Sequence, residues 1–327
     1  MNMPTRIAVI GAGMAGLACA RALLDAGFKP VVFDKGRSPG GRLATRRLDD
    51  SISFDHGAQY VTAHGDAFRA TLATIIEHGA AARWHPTTTN GIDPAAEDWI
   101  TGTPGMNALA KPLAAGLDLH AACEVASVKR EGAGWRIRTA GNAAGEYFDI
   151  VVSTVPVPQA RRLFGAERNI AQAMDDVTMA PCWALMLVCA APAAGVPDVL
   201  QTDSETLSWL SRNNSKPGRD SARECWVAHA TTHWSSHHLE LEREPAAALL
   251  VAAVQQILGD AIPRVERAIA HRWRYARTVK ALGRPCLASE DGTLFLGGDW
   301  ALGARIECAF DSGSAIAQAI IDDRCKP

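Results

Sequence analysis

The chain has 327 residues, long enough for one large α/β unit or two domains with sizeable cores. Its 33 Lys and Arg against 35 Asp and Glu leave a formal charge of −2, which excludes the basic footprint of a nucleic-acid or anionic-membrane binder. Eight cysteines (19, 123, 182, 189, 225, 286, 308, 325) contain no CxxC pair and no disulfide-framework spacing, so buried free thiols in a reducing cytoplasm are expected.

Residues 7–34 predict an apolar strand, a glycine turn, a helix, a second strand and a carboxylate. Gly11 allows the tight turn, Gly13 lets the backbone approach a pyrophosphate, and Gly16 lets the helix sit close to the strand. Ala12 and Met14 complete the turn, and Asp34, followed by Lys35, stands where a ribose hydroxyl is held. The uncharged run 7–20 behind Arg6 looks like a signal-peptide core, but glycines at fingerprint positions explain it better.

Further along, 36–42 is a loop containing Gly40-Gly41-Arg42, and Phe54 to Val61 reads as a short strand. Helices are expected over 66–78, with Phe68, Leu72, Ile75 and Ile76 on one face, and over 106–115. Leu117–Ala121, Glu124–Arg130 and Gly134–Arg138 alternate like a meander, and Phe148–Thr154 is a buried strand stopped by Pro156 and Pro158.

The character changes near 160. Strands at 182–189 and 225–230 alternate with loops and one helix, Pro245 to Leu258, carrying Leu249, Leu250, Val254 and Ile257. Residues 177–197 are uncharged, but Pro181, Pro192, Gly195 and Pro197 break them, so a membrane span is rejected. The opening style returns at Thr293-Leu-Phe-Leu-Gly-Gly-Asp, followed by a helix at about 309–321. An α/β architecture follows: a Rossmann-like dinucleotide domain from 1–62, 103–160 and 288–327, with a mixed-sheet substrate domain from 63–102 and 161–287 inserted between its parts.

Three signals favour FAD over NAD as the resident dinucleotide. Gly41 permits close backbone approach, and Arg42 can neutralise a pyrophosphate or a flavin carbonyl, the bland alternative being a basic surface loop. Gly298-Asp299 ends a strand where a ribityl hydroxyl is held, with a following helix N-terminus near the flavin pyrimidine. Val125 offers backbone groups to an adenine edge.

With Gly-Gly-Arg-Leu-Ala-Thr-Arg (40–46), Phe-Asp-His-Gly-Ala-Gln-Tyr (54–60), Val-Ser-Thr-Val-Pro-Val-Pro-Gln-Ala (152–160) and the late Gly-Gly-Asp, the chain resembles the flavin-containing amine oxidase superfamily. Trp226-Val-Ala-His, His271-Arg-Trp-Arg-Tyr-Ala and Trp300-Ala-Leu-Gly-Ala-Arg-Ile-Glu make it most similar, within that group, to the bacterial renalases. The resemblance covers nearly the whole chain. It implies an amine oxidase/p-hydroxybenzoate hydroxylase-like fold and non-covalent FAD. It also implies oxidation of 1,2-dihydro-NAD(P), and of the 1,6-isomer, to NAD(P)+ with dioxygen reduced to hydrogen peroxide.

Such chemistry needs a ring stacked about 3–3.5 Å from flavin N5 rather than a nucleophile, metal or strong base, so no catalytic side chain is assigned. Three tyrosines (Tyr60, Tyr147, Tyr275) are few for an amine-binding aromatic cage, and Lys280 is left between a flavin-side lysine and a surface charge.

Substrate contacts are expected from Ala58, Gln59, Tyr60 and Val61, with Gln59 and Tyr60 orienting a carboxamide, and from Met186, Trp209, His229 and Gly303. An ordinary buried strand, core packing or a satisfied histidine are the bland readings. Arg305 and Ile306 are placed at the flavin. His233, His237 and His238 carry a four-residue spacing, but no metal is assigned. The expected partners are a small dinucleotide and dioxygen, without nucleic acid or membrane. The alternatives are an amine oxidase, a desaturase, and a flavin-binding sensor or carrier.

Overall fold

The computed structural model describes residues 5–89, 93–220 and 222–324. Two compact units interleave along the chain: the first takes the chain up to Gly41, Ala110–Met179 and the chain from Thr278, and the second takes Arg42–Leu109 and Ala180–Arg277. The crossings therefore fall elsewhere than at 62, 102, 160 and 287. Residues 42–62 go with the second unit because the hairpin Thr45–Arg47/Ser53–Asp55 is tied to Asn213, whose amide bonds the Asp55 N–H at 3.1 Å and the Ser53 carbonyl at 2.8 Å.

The first unit is built on six strands in the order Leu287–Ala288, Leu294–Leu296, Ile150–Ser153, Ile7–Ile10, Val31–Phe33, Asp118–His120. All neighbours are parallel except the first pair. Ile7–Ile10 and Ile150–Ser153 are wholly buried, the continuous apolar run of a parallel sheet covered on both faces. Helix Met14–Asp25 packs on helix Ile306–Arg324. Their approach depends on Gly313, where a Cβ would stand 2.0 Å from the Ala15 carbonyl oxygen.

The meander differs from expectation at both ends. Asp118–His120 leaves it to extend the parallel sheet beside Val31–Phe33. The meander instead comprises Val125–Glu131, Gly134–Thr139 and Asn142–Phe148, and Trp135, Ile137 and Phe148 anchor it to the core.

The second unit holds a five-stranded sheet ordered Val199–Gln201, Leu207–Arg212, Glu224–Ala230, Thr178–Cys189, Val265–Lys280. Side chains alternate across it. Trp183, Leu185, Leu187, Leu210, Trp226 and Ala228 pack with Ala246, Leu250, Ala253 and Val254 of helix Arg243–Leu258. Trp209, Ser211, Val227, His229 and Met186 occupy the alternate positions. Leu249 is 48 % exposed rather than on the packing face, which alanines fill instead. The strand Val265–Lys280 was not anticipated, because its charged residues hide the alternation. The strand expected over Phe54–Val61 stops at Asp55, and the late helix runs longer, Ile306–Arg324.

No helix among the described residues is long and apolar enough to cross a membrane. The described cysteines are all free thiols, and Cys325 lies outside the described residues.

Candidate functional site

In the first unit, Gly11 has φ +104 and donates its N–H to the Phe33 carbonyl at 2.8 Å. A Cβ on Gly16 would stand 1.8 Å from the Gly11 oxygen, so only glycine lets the helix begin there. A Cβ on Gly13 would meet no atom within 4 Å, which leaves open space above the turn. Helix Met14–Asp25 has no side-chain cap and no acid in its first turn, so its leading N–H groups and positive dipole end are available to an anion. Ala12 and Met14 are buried and contribute backbone only.

Asp34 is held rigidly: one oxygen accepts the Ala12 N–H and the other the Gly36 N–H, both at 2.6 Å. Each oxygen keeps a lone pair for a ribose hydroxyl. The Asp34 carbonyl accepts from Cys123 N–H at 2.8 Å, which brings the start of the Val125 strand beside this loop. Gly40 N–H bonds the Ala12 carbonyl at 2.8 Å, and a Cβ on Gly41 would stand 3.4 Å from the Gly13 Cα. Two glycine turns, far apart in sequence terms, thus line one opening, with the exposed Lys35 next to Asp34.

The late motif joins the same sheet. Gly297 N–H bonds the Ser153 carbonyl at 3.0 Å, and the buried Asp299 accepts from Thr278 Oγ1 at 2.9 Å. The Ser153 hydroxyl is fully buried without a protein partner. Gly303 adopts φ +154, Ile306 is half-buried, and the Arg305 side chain is 59 % exposed with only a 3.8 Å approach to Glu307. The uncapped helix start, the side-chain-free approach over Gly13 and the pinned Asp34 fit the pyrophosphate and ribose of a dinucleotide. Lys280 belongs to the surface, paired with Asp176 at 3.0 Å.

The second unit centres on a buried polar network that sequence reasoning did not find. Asp55 is paired with Arg219 and, at 3.4 Å, with Lys216, and it accepts the Met106 N–H at 2.8 Å. Burial opposes its charge, but Lys216, Arg219 and the Met106 bond prevail and hold its pKa down at about 2. Burial lowers Lys216 to about 8, offset in part by Asp55. Nothing in Asn-Asn-Ser-Lys-Pro-Gly-Arg (213–219) distinguishes these cations from a solvated turn.

Gln59 is locked into this network. Its Oε1 accepts from Lys216 Nζ at 2.9 Å and Ser211 Oγ at 2.8 Å, and its Nε2 donates to the Asp55 and Gly57 carbonyls at 2.6 and 3.0 Å. Four contacts saturate a primary amide. The expectation that Gln59 orients a substrate carboxamide is therefore corrected: its capacity is spent on the protein. His229 lies beside it, with Nε2 3.5 Å from Gln59 Nε2, and burial first, then the Lys216 charge, lower it to about 4.

The other expected substrate residues divide. Tyr60 stacks on Trp99 at 3.8 Å and 9°, with Trp209 tilted 5.9 Å away. Trp209 is opposite His229 across the strands, and its Nε1–H is buried without a partner. Val61 is bridged to Ile100, and Ala58 donates to the Arg42 carbonyl at 2.9 Å. Met186 is packed in an apolar cluster with Phe54 and Val227. Arg42 spends one N–H on the Ala276 carbonyl at 3.1 Å. Gly303 belongs to the first unit. His233 and His237 have ring centroids 4.3 Å apart.

Family models match an NAD(P)-binding Rossmann-like domain over residues 9–74 and flavin containing amine oxidoreductase over 81–321. The chain belongs to the flavin containing amine oxidoreductase family, and its cofactor is FAD. It is thus an oxidoreductase of the flavin amine oxidase and desaturase type.

Local similarity links it to 15-cis-phytoene desaturase of Synechococcus elongatus, 40% identical over 52 residues, or 16% of this chain and 11% of the desaturase. Lysine-specific histone demethylase 1 homolog 1 of Arabidopsis thaliana is 47% identical over 45 residues, 14% of this chain and 5% of that protein. The matches thus span a small part of those relatives. Cyclohexylamine oxidase from Brevibacterium oxydans superposes with a TM-score of 0.77 at 12% identity, covering 99% of this chain and 100% of that one. An Exiguobacterium protein provisionally named as a protoporphyrinogen oxidase gives 0.80 at 11% identity, covering 98% and 99%. Both share the fold.

Proposed function

We propose that this protein is an FAD-dependent oxidase of the renalase kind. It converts 1,2-dihydro-NAD(P), and the 1,6-dihydro isomer, to NAD(P)+ while dioxygen becomes hydrogen peroxide. The balance closes: the dihydropyridine loses a hydride, and hydride, proton and dioxygen make the peroxide. FAD, held non-covalently, supplies the two-electron acceptor that links these halves. The substrate is a small dinucleotide, and neither nucleic acid nor membrane is a partner.

The observation that carries this reading is the charge of the buried network. Asp55 is neutralised twice over by Lys216 and Arg219, leaving an excess cation next to Gln59 and His229. An ammonium substrate would be repelled there, and an anionic dinucleotide attracted.

The chain's own residues have modest tasks. The first turn of Met14–Asp25, with Gly13 and Gly41, would take the FAD pyrophosphate, and Asp34 a ribose hydroxyl. The stacked Tyr60–Trp99 pair is a rigid aromatic wall, and Trp209 Nε1–H is the spare donor for a carboxamide oxygen. His229 stays neutral at pH 7, in keeping with a reaction that removes hydride and needs no strong base.

Anaerobic stopped-flow with dihydronicotinamides and simple amines tests the proposal. Loss of flavin absorbance with 1,2-dihydro-NAD(P), NAD(P)+ as product, and peroxide on admitting air is the expected result. Reduction by amines alone would make the protein an amine oxidase. Reduction without reoxidation by air would make it a desaturase, and bound flavin that nothing reduces would make it a sensor or carrier.

A further inference from the structure

We propose that Arg46, His56 and His271 form a phosphate-binding subsite in the second unit, which takes a phosphate of the dinucleotide substrate; the subsite's role in turnover rests on the function proposed above.

Arg46 stands opposite Phe54 in the hairpin, so its side chain leaves the ladder on the same face as Phe54, and His56 follows two residues on. His56 is 6 % exposed, yet its Nδ1 has no hydrogen-bond partner. The His271 ring meets it edge-on with centroids 4.7 Å apart. Trp273 stacks on His56 at 5.2 Å and donates its indole N–H to the His56 carbonyl at 2.9 Å, fixing that wall. A buried imidazole nitrogen without a partner is costly, and a ligand that pairs with it removes the cost.

The charges around these rings are one-sided. Arg46 is half-buried, and among the described residues its guanidinium has no hydrogen-bond or ion-pair partner. Three other arginines of this unit are matched: Arg212 holds Asp198 and Glu224, Arg219 holds Asp55, and Arg272 bonds the Leu239 and Leu241 carbonyls. The arginines acting on His271, Arg243 and Arg46, are cations, and no carboxylate acts on it beside them. Asp55, the one carboxylate acting on His56, is already occupied by two cations. What this set lacks is an anion. A phosphate suits it, because a guanidinium fork binds two phosphate oxygens and a neutral imidazole donates its ring N–H to a further oxygen.

Titration calorimetry of the FAD-loaded protein with inorganic pyrophosphate, NAD+ and NADP+ tests this. Arg46→Ala should weaken pyrophosphate about 10- to 100-fold, with Arg46→Lys recovering part of the loss. Equal losses for NAD+ and NADP+ place the pyrophosphate bridge in the subsite, and a loss confined to NADP+ places the 2′-phosphate there. In turnover, the apparent affinity for the dinucleotide relative to a phosphate-free 1-alkyl-1,2-dihydronicotinamide should fall by a similar factor. On the unmutated protein, pyrophosphate should shift the His56 and His271 ring nitrogen resonances, a readout that survives any folding defect of the variants. Unchanged pyrophosphate affinity, unmoved resonances, or a variant that loses FAD while keeping dinucleotide affinity overturns the assignment. If no dihydronicotinamide is oxidised but pyrophosphate binding still depends on Arg46, the function fails and the subsite stands.

Discussion

Lys216 Nζ donates to Gln59 Oε1 across 2.9 Å, linking a turn that reads as surface to the residue that reads as a substrate contact. The bond makes Gln59 part of the frame. It also makes the Asp55 triad the point where the second unit is most exposed to single substitutions.

Asp55→Asn leaves Lys216 and Arg219 buried with no carboxylate, and should cost about 3–5 kcal/mol. Lys216→Met keeps the Asp55–Arg219 pair and should cost less. Urea unfolding of both variants checks the order. A Lys216→Met penalty as large as that of Asp55→Asn would contradict it.

Trp209→Phe keeps a ring in the aromatic group and deletes the unpartnered N–H. The expected result is a KM for dihydro-NAD(P) raised about 3- to 10-fold, the worth of one neutral hydrogen bond, with the melting temperature unchanged or higher. An unaltered KM assigns the carboxamide elsewhere.

Gly13→Ala and Gly16→Ala should fail differently. The Gly13 methyl meets no protein atom, so the apoprotein should fold and lose FAD affinity, seen as a colourless but cooperatively melting product. The Gly16 methyl collides with the Gly11 carbonyl, so that variant should be destabilised with or without flavin.

Acid should unfold the protein early. His56, His229 and His271 are all lowered from 6.5 to about 4, chiefly by burial. Between those values the unfolded chain binds protons that the folded chain refuses, so stability falls as pH drops from about 6.5 toward 4. Above pH 6.5 both states are neutral at these sites and the effect vanishes. Asp55, lowered from 3.8 to about 2, adds a loss only below about pH 4. Denaturation midpoints measured from pH 8 to 4.5 should decline most steeply below 6.5, and His229→Gln should flatten the slope.

The dinucleotide half was legible because its physics is local. Gly11, Gly13, Gly16 and Asp34 act through backbone geometry at fixed spacing, and the structure brings Gly40–Gly41 onto the same turn. The second unit was legible only as strands and one helix. Its network joins residues 55, 59, 211, 216, 219 and 229, and no spacing rule connects them. Lys216 sits in a polar turn with no motif around it yet is buried, whereas Lys280 stays in solvent. Val265–Lys280 does not read as a strand because both alternate sets of positions carry arginine, Arg272 and Arg274 in one, bonded to Leu239 and Glu240, and Arg267 and Arg277 in the other. Asp118–His120 was misassigned because three alternating residues do not reveal whether their partner is parallel.

The contact between Ala15 and Gly313 has a consequence for biosynthesis. The helix that would carry the pyrophosphate is translated well before the helix it nests against and before the Leu294–Leu296 strand beside Ile150–Ser153. A nascent chain lacking them has an incomplete nucleotide sheet. Flavin uptake therefore waits until both segments are translated, and riboflavin starvation should accumulate apoprotein that carries both rather than fragments lacking the later one.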